Sequence, residues 1–266
     1  MQFGDTIVIG SGEIDSYDFS THMVYLKKSQ EFLDNQYNWD LANMPFKVFA
    51  NKEMIYTGSL FPAWSSTMPQ GIYIDFPSMY PAYIIKLSNA FDKSLLQDDS
   101  NDLRTDDRII KALKSNNQFH AGLSCSLNEI KILRDNTLTV SFTIVNNDVF
   151  NYFILSPDKM GVELFHYFTN GVILLGESGN TLLNHVEAVA PEPLGDWSID
   201  WMDLIKKGKS KTYIINYNSF DSIKPGKYHL YFYYPGLHNI DINELRRPDG
   251  RIWLGGVTIK QEYFVQ

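Results

Sequence analysis

The sequence has little of what metal-binding and disulfide-stabilised proteins usually carry. Its 266 residues include a single cysteine, Cys125, which excludes an internal disulfide and any multi-cysteine zinc or iron–sulfur site. Its six histidines include no pair at i, i+2 or i, i+4, so the chain offers no local two-ligand clip for a metal. We therefore expect no metal and no cofactor, and we interpret Cys125 as a packing residue between small and apolar neighbours.

Motifs for nucleophilic catalysis and for phosphate binding are also missing. No Gly-x-Ser-x-Gly nucleophile elbow occurs in the chain. The run from Val8 to Gly12 begins like a dinucleotide-binding loop, but Asp15 stands at the third glycine position and no helical period follows. The sequence therefore predicts neither a catalytic nucleophile nor a nucleotide site.

Basic charge and long apolar runs are scarce as well. The net charge is −8 with no basic block, and such a field repels the phosphates of nucleic acids. No run approaches the ~20 apolar residues of a transmembrane helix. Met1–Asp5 lacks the basic and apolar regions of a signal peptide, so an exported form would already have lost its signal. We expect no nucleic-acid partner and no transmembrane segment, and we leave the location open, with the periplasm and the cell surface as candidates.

What the chain does contain is the pattern of many short strands. Its 16 tyrosines and 17 phenylalanines lie with β-branched residues in short runs between glycines and prolines. Alternation is clearest at Thr212–Tyr217 and Tyr228–Tyr234, within the stretch Leu204–Tyr234. Between them, Pro225 and Gly226 predict a type II turn in which Gly226 has a positive φ. The predicted fold class is all-β.

The β pattern is interrupted once, which suggests two domains. We predict an N-terminal β-rich domain at 1–122, which includes a hairpin at Phe46–Gly58, and a second domain at 123–266. A connecting helix is predicted near 106–117, capped by Thr105 and burying one face formed by Ile109, Ile110 and Leu113. Both domains are expected to be antiparallel β-sandwiches.

The second half resembles bacterial immunoglobulin-like sandwich domains. The resemblance rests on the alternating strand that ends in Asn146-Asn147, on Tyr152–Leu155, and on Pro225-Gly226-Lys227-Tyr228 at the opening of a late strand. It implies an immunoglobulin-like domain at 123–266, although the two cysteines of antibody domains are missing. The whole chain is also similar to β-sandwich proteins of Bacteroidota cell envelopes. Neither resemblance supplies a catalytic residue.

Candidate binding residues are aromatic and acidic. Trp64 lies in a loop rich in proline and serine, and Trp197 and Trp201 alternate with Asp196 and Asp200. An exposed indole ring beside carboxylates is typical of a surface that binds sugars, because a sugar presents apolar faces and hydroxyl rims.

The alternative for the second group is a short helix that buries its tryptophan. Such a helix would be capped by Ser198 or Asp196, would end at Gly208 and would bury Trp201. Of the other tryptophans, Trp39 lies in a predicted loop, and Trp253 is expected in the core.

The sequence favours a non-catalytic binding or adhesion module at a bacterial envelope, which recognises a glycan or another protein through loop aromatics. Two alternatives stay open. One is a structural or assembly protein without a small ligand. The other is a glycan-active enzyme, which would need two carboxyl groups about 5–10 Å apart in a cleft.

Overall fold

A computed structural model describes residues 1–3, 7–34, 41–90, 102–132, 137–169, 171–177, 179, 181–183, 185–217, 221–237 and 240–265. The chain forms two compact units: unit 1 is Met1–Gly122 with His238–Ile242, and unit 2 is Leu123–Leu237 with Asn243–Gln266. Strands dominate both units, which confirms the predicted all-β class. The predicted loop tryptophan Trp39 lies outside the described residues.

Unit 1 contains a six-stranded sheet and a four-stranded sheet. Its elements in chain order are β1 (Gln2–Phe3), β2 (Ile7–Val8), β3 (Ile14–Asp18), β4 (Met23–Leu26), α1 (Glu31–Asp34), β5 (Pro45–Ala50), β6 (Glu53–Pro62), β7 (Ile72–Phe76), β8 (Ile84–Lys86), β9 (Ser88–Asn89), α2 (Asp107–Ser115) and β10 (Phe119–His120). The first sheet has the order β2-β1-β5-β6-β7-β9, and the second has the order β10-β3-β4-β8.

The predicted hairpin is confirmed as β5 and β6. Its arms pair antiparallel from Pro45↔Ser59 to Ala50↔Glu53. Asn51 and Lys52 connect them with φ of 51° and 71°, and two successive positive φ angles give a turn whose twist matches that of the strands.

The predicted helix is α2, but its cap and its buried face differ from the prediction. Asp106 is the N-cap, and its carboxylate accepts a hydrogen bond from the Arg108 amide at 2.8 Å. Thr105 instead ends a preceding 3-10 turn, Leu103–Thr105. Ile109, Ile110 and Leu113 form the more buried face of α2 as predicted, but each is only half-buried and no residue of α2 is fully buried.

Unit 2 contains three sheets. Its elements in chain order are β11 (Leu123–Ile132), β12 (Leu138–Asn146), β13 (Tyr152–Leu155), α3 (Pro157–Met160), α4 (Val162–Thr169), β14 (Val172–Gly176), β15 (Thr181–Leu183), β16 (Met202–Ile205), β17 (Ser210–Tyr217), β18 (Gly226–Tyr234), α5 (Ile242–Leu245), β19 (Arg246–Arg247), β20 (Gly250–Ile252) and β21 (Val257–Val265). The sheets have the orders β11-β12-β17, β15-β14-β18-β21 and β16-β13-β20-β19.

Alternation along the strands of unit 2 builds one aromatic core. On β12 every second residue is buried, from Leu138 to Asn146, and β17 buries Tyr213, Ile215 and Tyr217. The ring of Phe142 lies 4.8 Å from that of Phe232 and 5.3 Å from that of Tyr213. Trp253 is buried in the same cluster, as expected for a core tryptophan.

Two details of the predicted sheets need correction. The sheets are not purely antiparallel, because β6 pairs parallel with β7, β3 with β10, and β13 with β20. Unit 2 also has a third sheet, β16-β13-β20-β19. Its strands lie in the segments that connect the strands of the other two sheets, so two sandwiches do not describe the whole fold. Such pairings join segments far apart in sequence, which strand alternation cannot reveal.

The stretch Leu204–Tyr234 forms strands as predicted, but in separate sheets. β17 belongs to the three-stranded sheet, and β18 to β15-β14-β18-β21, so the chain crosses between sheets through the corner at Pro225. Gly226 has φ of +153°, which differs from the roughly +80° that a type II turn requires. The corner is held instead by the Tyr228 hydroxyl, which donates to the Lys224 carbonyl at 2.9 Å.

Candidate functional site

The segment that carries Trp197 and Trp201 joins β15 to β16. The Ser198 hydroxyl caps a 3-10 turn, Ile199–Trp201, by accepting from the Asp200 amide at 3.2 Å. The predicted Ser198 cap is therefore confirmed, but the helix lasts a single turn. The chain then enters β16 as a strand, and Gly208 lies in the turn before β17 with φ of +64° and does not end a helix.

Helix α4 brings further aromatic rings to this segment. Trp201 lies edge-on to Phe168 with the ring centres 6.5 Å apart, and Phe168 lies 5.2 Å from Tyr167. Trp197 and Trp201 are half-buried, whereas Tyr167 is exposed. We call Tyr167, Phe168, Trp197 and Trp201 the aromatic surface of unit 2. Phe168 packs against both Trp201 and Tyr167, and part of each of these rings stays accessible to a partner.

The nearby aspartates divide into two kinds. Asp196 and Asp200 directly precede Trp197 and Trp201 in the sequence, and both are exposed. Asp203 is mostly buried, accepts a hydrogen bond from the Tyr213 hydroxyl at 3.0 Å and forms an ion pair with Lys211. Burial raises the pKa of Asp203, but the hydrogen bonds from Lys211 and Tyr213 outweigh burial and hold it below its ordinary value. Asp203 therefore stabilises the fold through its contacts with Tyr213 and Lys211. Asp196 and Asp200 are the carboxylates that remain exposed at the surface.

The connection around the aromatic surface is acidic and apolar. Its residues 185–203 include four aspartates or glutamates besides Asp203 and no lysine or arginine; these four are Glu187, Glu192, Asp196 and Asp200. Val189 is 53% exposed and Leu194 is 75% exposed. The Val189 amide donates to the Glu163 carbonyl at 3.3 Å, which holds this connection against the start of α4. Negative charge therefore surrounds exposed apolar side chains.

Trp64 belongs to unit 1 and lies just after β6, in the segment that leads back to the parallel strand β7. Its side chain is 46% exposed, and one edge rests on Phe76, with the ring centres 6.5 Å apart. Trp197, Trp201, Asp196 and Asp200 thus share one segment of unit 2, whereas Trp64 belongs to the other unit.

Groups that could carry chemistry are sparse among the described residues. In those residues, no cluster of three histidine, cysteine, aspartate or glutamate side chains has the arrangement of a metal site. Burial raises the pKa of the Cys125 thiol to about 12, so the thiolate is disfavoured at neutral pH. Burial also raises the pKa of Asp18, whose carboxylate accepts hydrogen bonds from the Ser20 hydroxyl and amide at 2.6 and 2.9 Å. Among the helices of the described ranges, none combines the length and apolar composition needed to cross a membrane.

Sequence reasoning missed a concave region in unit 1. Tyr17, Tyr56 and Arg104 line it, together with the apolar residues of α2. Arg104 stands just before the predicted helix in a run rich in aspartate, and no local pattern marks it as buried. Only the folded arrangement of β3, β6 and the turn before α2 brings these three residues to one place.

Comparisons with known proteins give little further guidance. No protein-family model matches the sequence, and no match is found among curated proteins. A search of solved structures finds "X-ray structure of Northeast Structural Genomics Consortium target SoR45", with 13% identity over 54% of this chain and 79% of that chain. Its TM-score is 0.18, and at that value the likeness supports no argument about fold or function.

Proposed function

We propose that this protein is a non-catalytic binding module and that the aromatic surface of unit 2 contacts a protein partner. The observation that carries the proposal is the half-buried ring of Trp201, which packs edge-on against Phe168. The same segment carries the half-buried Trp197 and the exposed carboxylates of Asp196 and Asp200. Tryptophan and tyrosine anchors surrounded by polar residues are typical of the energetic centres of protein interfaces.

The neighbouring side chains favour a protein over a glycan for this surface. Exposed Leu194 and Val189 extend the apolar area beyond the rings, and aliphatic side chains gain more from an apolar protein surface than from a sugar. The acidic residues around them predict a partner that surrounds its own apolar contact with lysine or arginine, because complementary charge speeds association.

Glycan binding is the second candidate, and Trp64 is the residue that supports it. Its ring is the most exposed of the tryptophans in the described chain and rests edge-on against Phe76. An exposed indole in a loop matches what a sugar face requires.

The immunoglobulin-like identity of unit 2 is also a proposal. It is supported by the sheets β11-β12-β17 and β15-β14-β18-β21. They have the strand order of an immunoglobulin-like sandwich if β11, β12, β14, β15, β17, β18 and β21 are strands A, B, C, C′, E, F and G. The hydrogen bond from Tyr228 to the Lys224 carbonyl is similar to the tyrosine corner that such domains have at the start of strand F. On this assignment, the connections B–C and C′–E carry α4 and Trp201. Placement at a bacterial envelope rests on the resemblance alone.

The binding proposal is tested with two variants of the aromatic surface, Trp197→Ala and Trp201→Ala, and with Phe264→Ala as the control. Phe264 is also a large exposed aromatic of unit 2, but it lies on β21. Each variant is measured by thermal unfolding and by binding to panels of envelope proteins and of glycans. Truncating a central anchor should weaken binding of a protein partner by ~2 kcal/mol, or roughly 30-fold, with little change in unfolding, while Phe264→Ala retains binding.

Three results would change this assignment. If Trp64→Ala is the only variant that loses glycan binding, the binding site lies in unit 1 and its ligand is a glycan. If both unit 2 variants unfold, these tryptophans belong to the core and the structural or assembly alternative gains support. Hydrolysis of a glycan from the panel would favour the enzyme alternative.

A further inference from the structure

Unit 1 contains a cavity of about 510 Å³ that lies between the β5–β6 hairpin, the first strands of the chain and helix α2. Its volume falls within the range of about 300–1,000 Å³ that is typical of small-molecule sites. The apolar walls include Val24 and Val48, and the polar residues Tyr17, Tyr56 and Arg104 also line it.

Helix α2 forms one wall of the cavity. Ile109, Ala112 and Leu113 line it, and each is half-buried. An amphipathic helix normally buries its apolar face against a core. In α2 the apolar face borders the cavity instead, which explains why the predicted buried face of this helix is only half-covered.

The charge of Arg104 at the cavity is matched by Asp102. Arg104 is buried and donates three hydrogen bonds from its guanidinium to the Asp102 carboxylate, at 2.7–3.0 Å. Burial raises the pKa of Asp102, but these hydrogen bonds and the charge of Arg104 outweigh burial and hold it below its ordinary value. The pair therefore presents little net charge to anything inside the cavity.

The two tyrosines at the cavity differ in their hydrogen bonding. The Tyr17 hydroxyl is 2.6 Å from Nδ1 of His22, so its bonding capacity is partly used. Tyr56 is 5% exposed, yet its hydroxyl has no hydrogen-bond partner among the described residues. The Tyr56 hydroxyl therefore has its donor and acceptor capacity left for a polar group of a molecule bound in the cavity.

We propose that this cavity binds a small neutral molecule with an apolar body and one polar group that forms a hydrogen bond with the Tyr56 hydroxyl. The apolar body contacts Val48, Ile109 and Leu113. A ligand charge beside Arg104 would lose its hydration without gaining a counter-ion, because Asp102 already neutralises Arg104. The other cationic groups that line the cavity are Lys52, which is exposed at the mouth, and the N-terminus of Met1, which donates to the Ile9 carbonyl. This site is separate from the aromatic surface of unit 2 and does not rest on it.

The mouth of the cavity supports entry of an apolar molecule. Val8 and Phe49 line the cavity and are nevertheless exposed, at 64% and 40%. Asn51 and Lys52 also line it, and the two positive φ angles of this turn fix the end of the hairpin there. Exposed apolar side chains next to a cavity provide a first contact for a ligand that avoids water.

The test uses N-phenyl-1-naphthylamine, a neutral apolar fluorophore with a single N–H group, titrated into the full chain. Its sulfonated analogue, 8-anilino-1-naphthalenesulfonate, serves as the charged comparison. We expect saturable binding of the neutral probe at one site and at least tenfold weaker binding of the anionic probe. Thermal unfolding of every variant is measured in parallel.

Two pairs of variants locate the binding site. Ala112→Leu should weaken the neutral probe at least tenfold, because the added carbons occupy the cavity, whereas Lys111→Leu adds the same side chain at an exposed position of α2 and should have no effect. Tyr56→Phe should weaken the probe by about threefold to tenfold, the worth of one hydrogen bond. Tyr25→Phe removes a buried hydroxyl that lies outside the cavity lining and should leave the affinity unchanged.

Trp201→Ala in unit 2 should also leave the affinity unchanged, which separates this site from the aromatic surface. Should Ala112→Leu fail to fold, the comparison of Tyr56→Phe with Tyr25→Phe decides the outcome. Absence of saturable binding, equal affinity for both probes, or equal affinity of Tyr56→Phe and Tyr25→Phe would overturn the proposal.

Discussion

The two units fill their interiors in different ways. In unit 2, rings from β12, β17 and β18 meet directly, and Phe142 lies within 5.6 Å of Phe232, Tyr213 and Tyr234. In unit 1, the apolar face of α2 borders a cavity of about 510 Å³ beside a buried Arg104–Asp102 pair. Unit 2 thus has a closely packed aromatic core, whereas unit 1 leaves room for a small molecule inside.

The largest expected effect is in the core of unit 2. Phe142→Ala should lower the free energy of unfolding by about 3–5 kcal/mol, because it removes a ring that contacts three others. Ile214→Ala is the control, since Ile214 is exposed on β17, and it should cost less than about 1 kcal/mol. Chemical denaturation measures both. Similar costs for the two variants would mean that the core of unit 2 is not tightly packed.

The next effect concerns the buried ion pair of unit 1. Asp102→Asn removes the carboxylate that accepts from Arg104, and breaking a buried pair typically costs about 3 kcal/mol. The matched control is Asp107→Asn, an exposed aspartate in the first turn of α2, which should cost about 0.5 kcal/mol. Equal losses in the two variants would contradict a buried, stabilising pair.

The same pair predicts how the stability depends on pH. Folding lowers the pKa of Asp102, so its contribution is present above the unfolded pKa of about 3.9 and is lost as the pH falls through the lower folded pKa. Wild-type stability should therefore decline more steeply below pH ~4 than that of Asp102→Asn. Parallel slopes in denaturation at pH 2–5 would argue against this role.

A smaller effect is expected at the corner before β18. Gly226 has φ of +153°, a region that side chains with a Cβ rarely adopt, so Gly226→Val should cost roughly 1–3 kcal/mol. Gly12 has open space around it and no such angle, so Gly12→Ala serves as the control. An unchanged unfolding midpoint for Gly226→Val would show that the corner is not strained.

The smallest effect is expected at the cavity wall. Leu113 is half-buried and already borders open space, so Leu113→Ala should cost about 1 kcal/mol, less than the 2–5 kcal/mol typical of a buried leucine. Leu230→Ala on β18, where the side chain is fully buried, gives the comparison value. A loss at Leu113 as large as that at Leu230 would mean that unit 1 is as tightly packed as unit 2.

Local patterns predict much of the secondary structure. Alternation identifies β12, β17 and β18, the short polar turn identifies the hairpin of β5 and β6, and Ser198 is expected as a cap. These features depend on neighbours within a few residues, which the sequence displays directly.

The features that the sequence does not reveal depend on contacts between distant segments. The pairing of β13 with β20 joins residues about a hundred positions apart, and the cavity is formed by the first strands, the hairpin and α2 together. For the same reason, local sequence patterns can suggest that Trp64 is exposed, but they cannot establish its exposure or the half-burial of Trp201 against Phe168.

The contrast between the two units can be tested directly by amide hydrogen exchange with and without saturating N-phenyl-1-naphthylamine. We predict slower exchange in unit 1, at the β5–β6 hairpin and at α2, and unchanged exchange in β12 and β17 of unit 2. Protection confined to unit 2, or no protection anywhere at saturation, would contradict the proposal that unit 1 is the part of this chain that encloses a ligand.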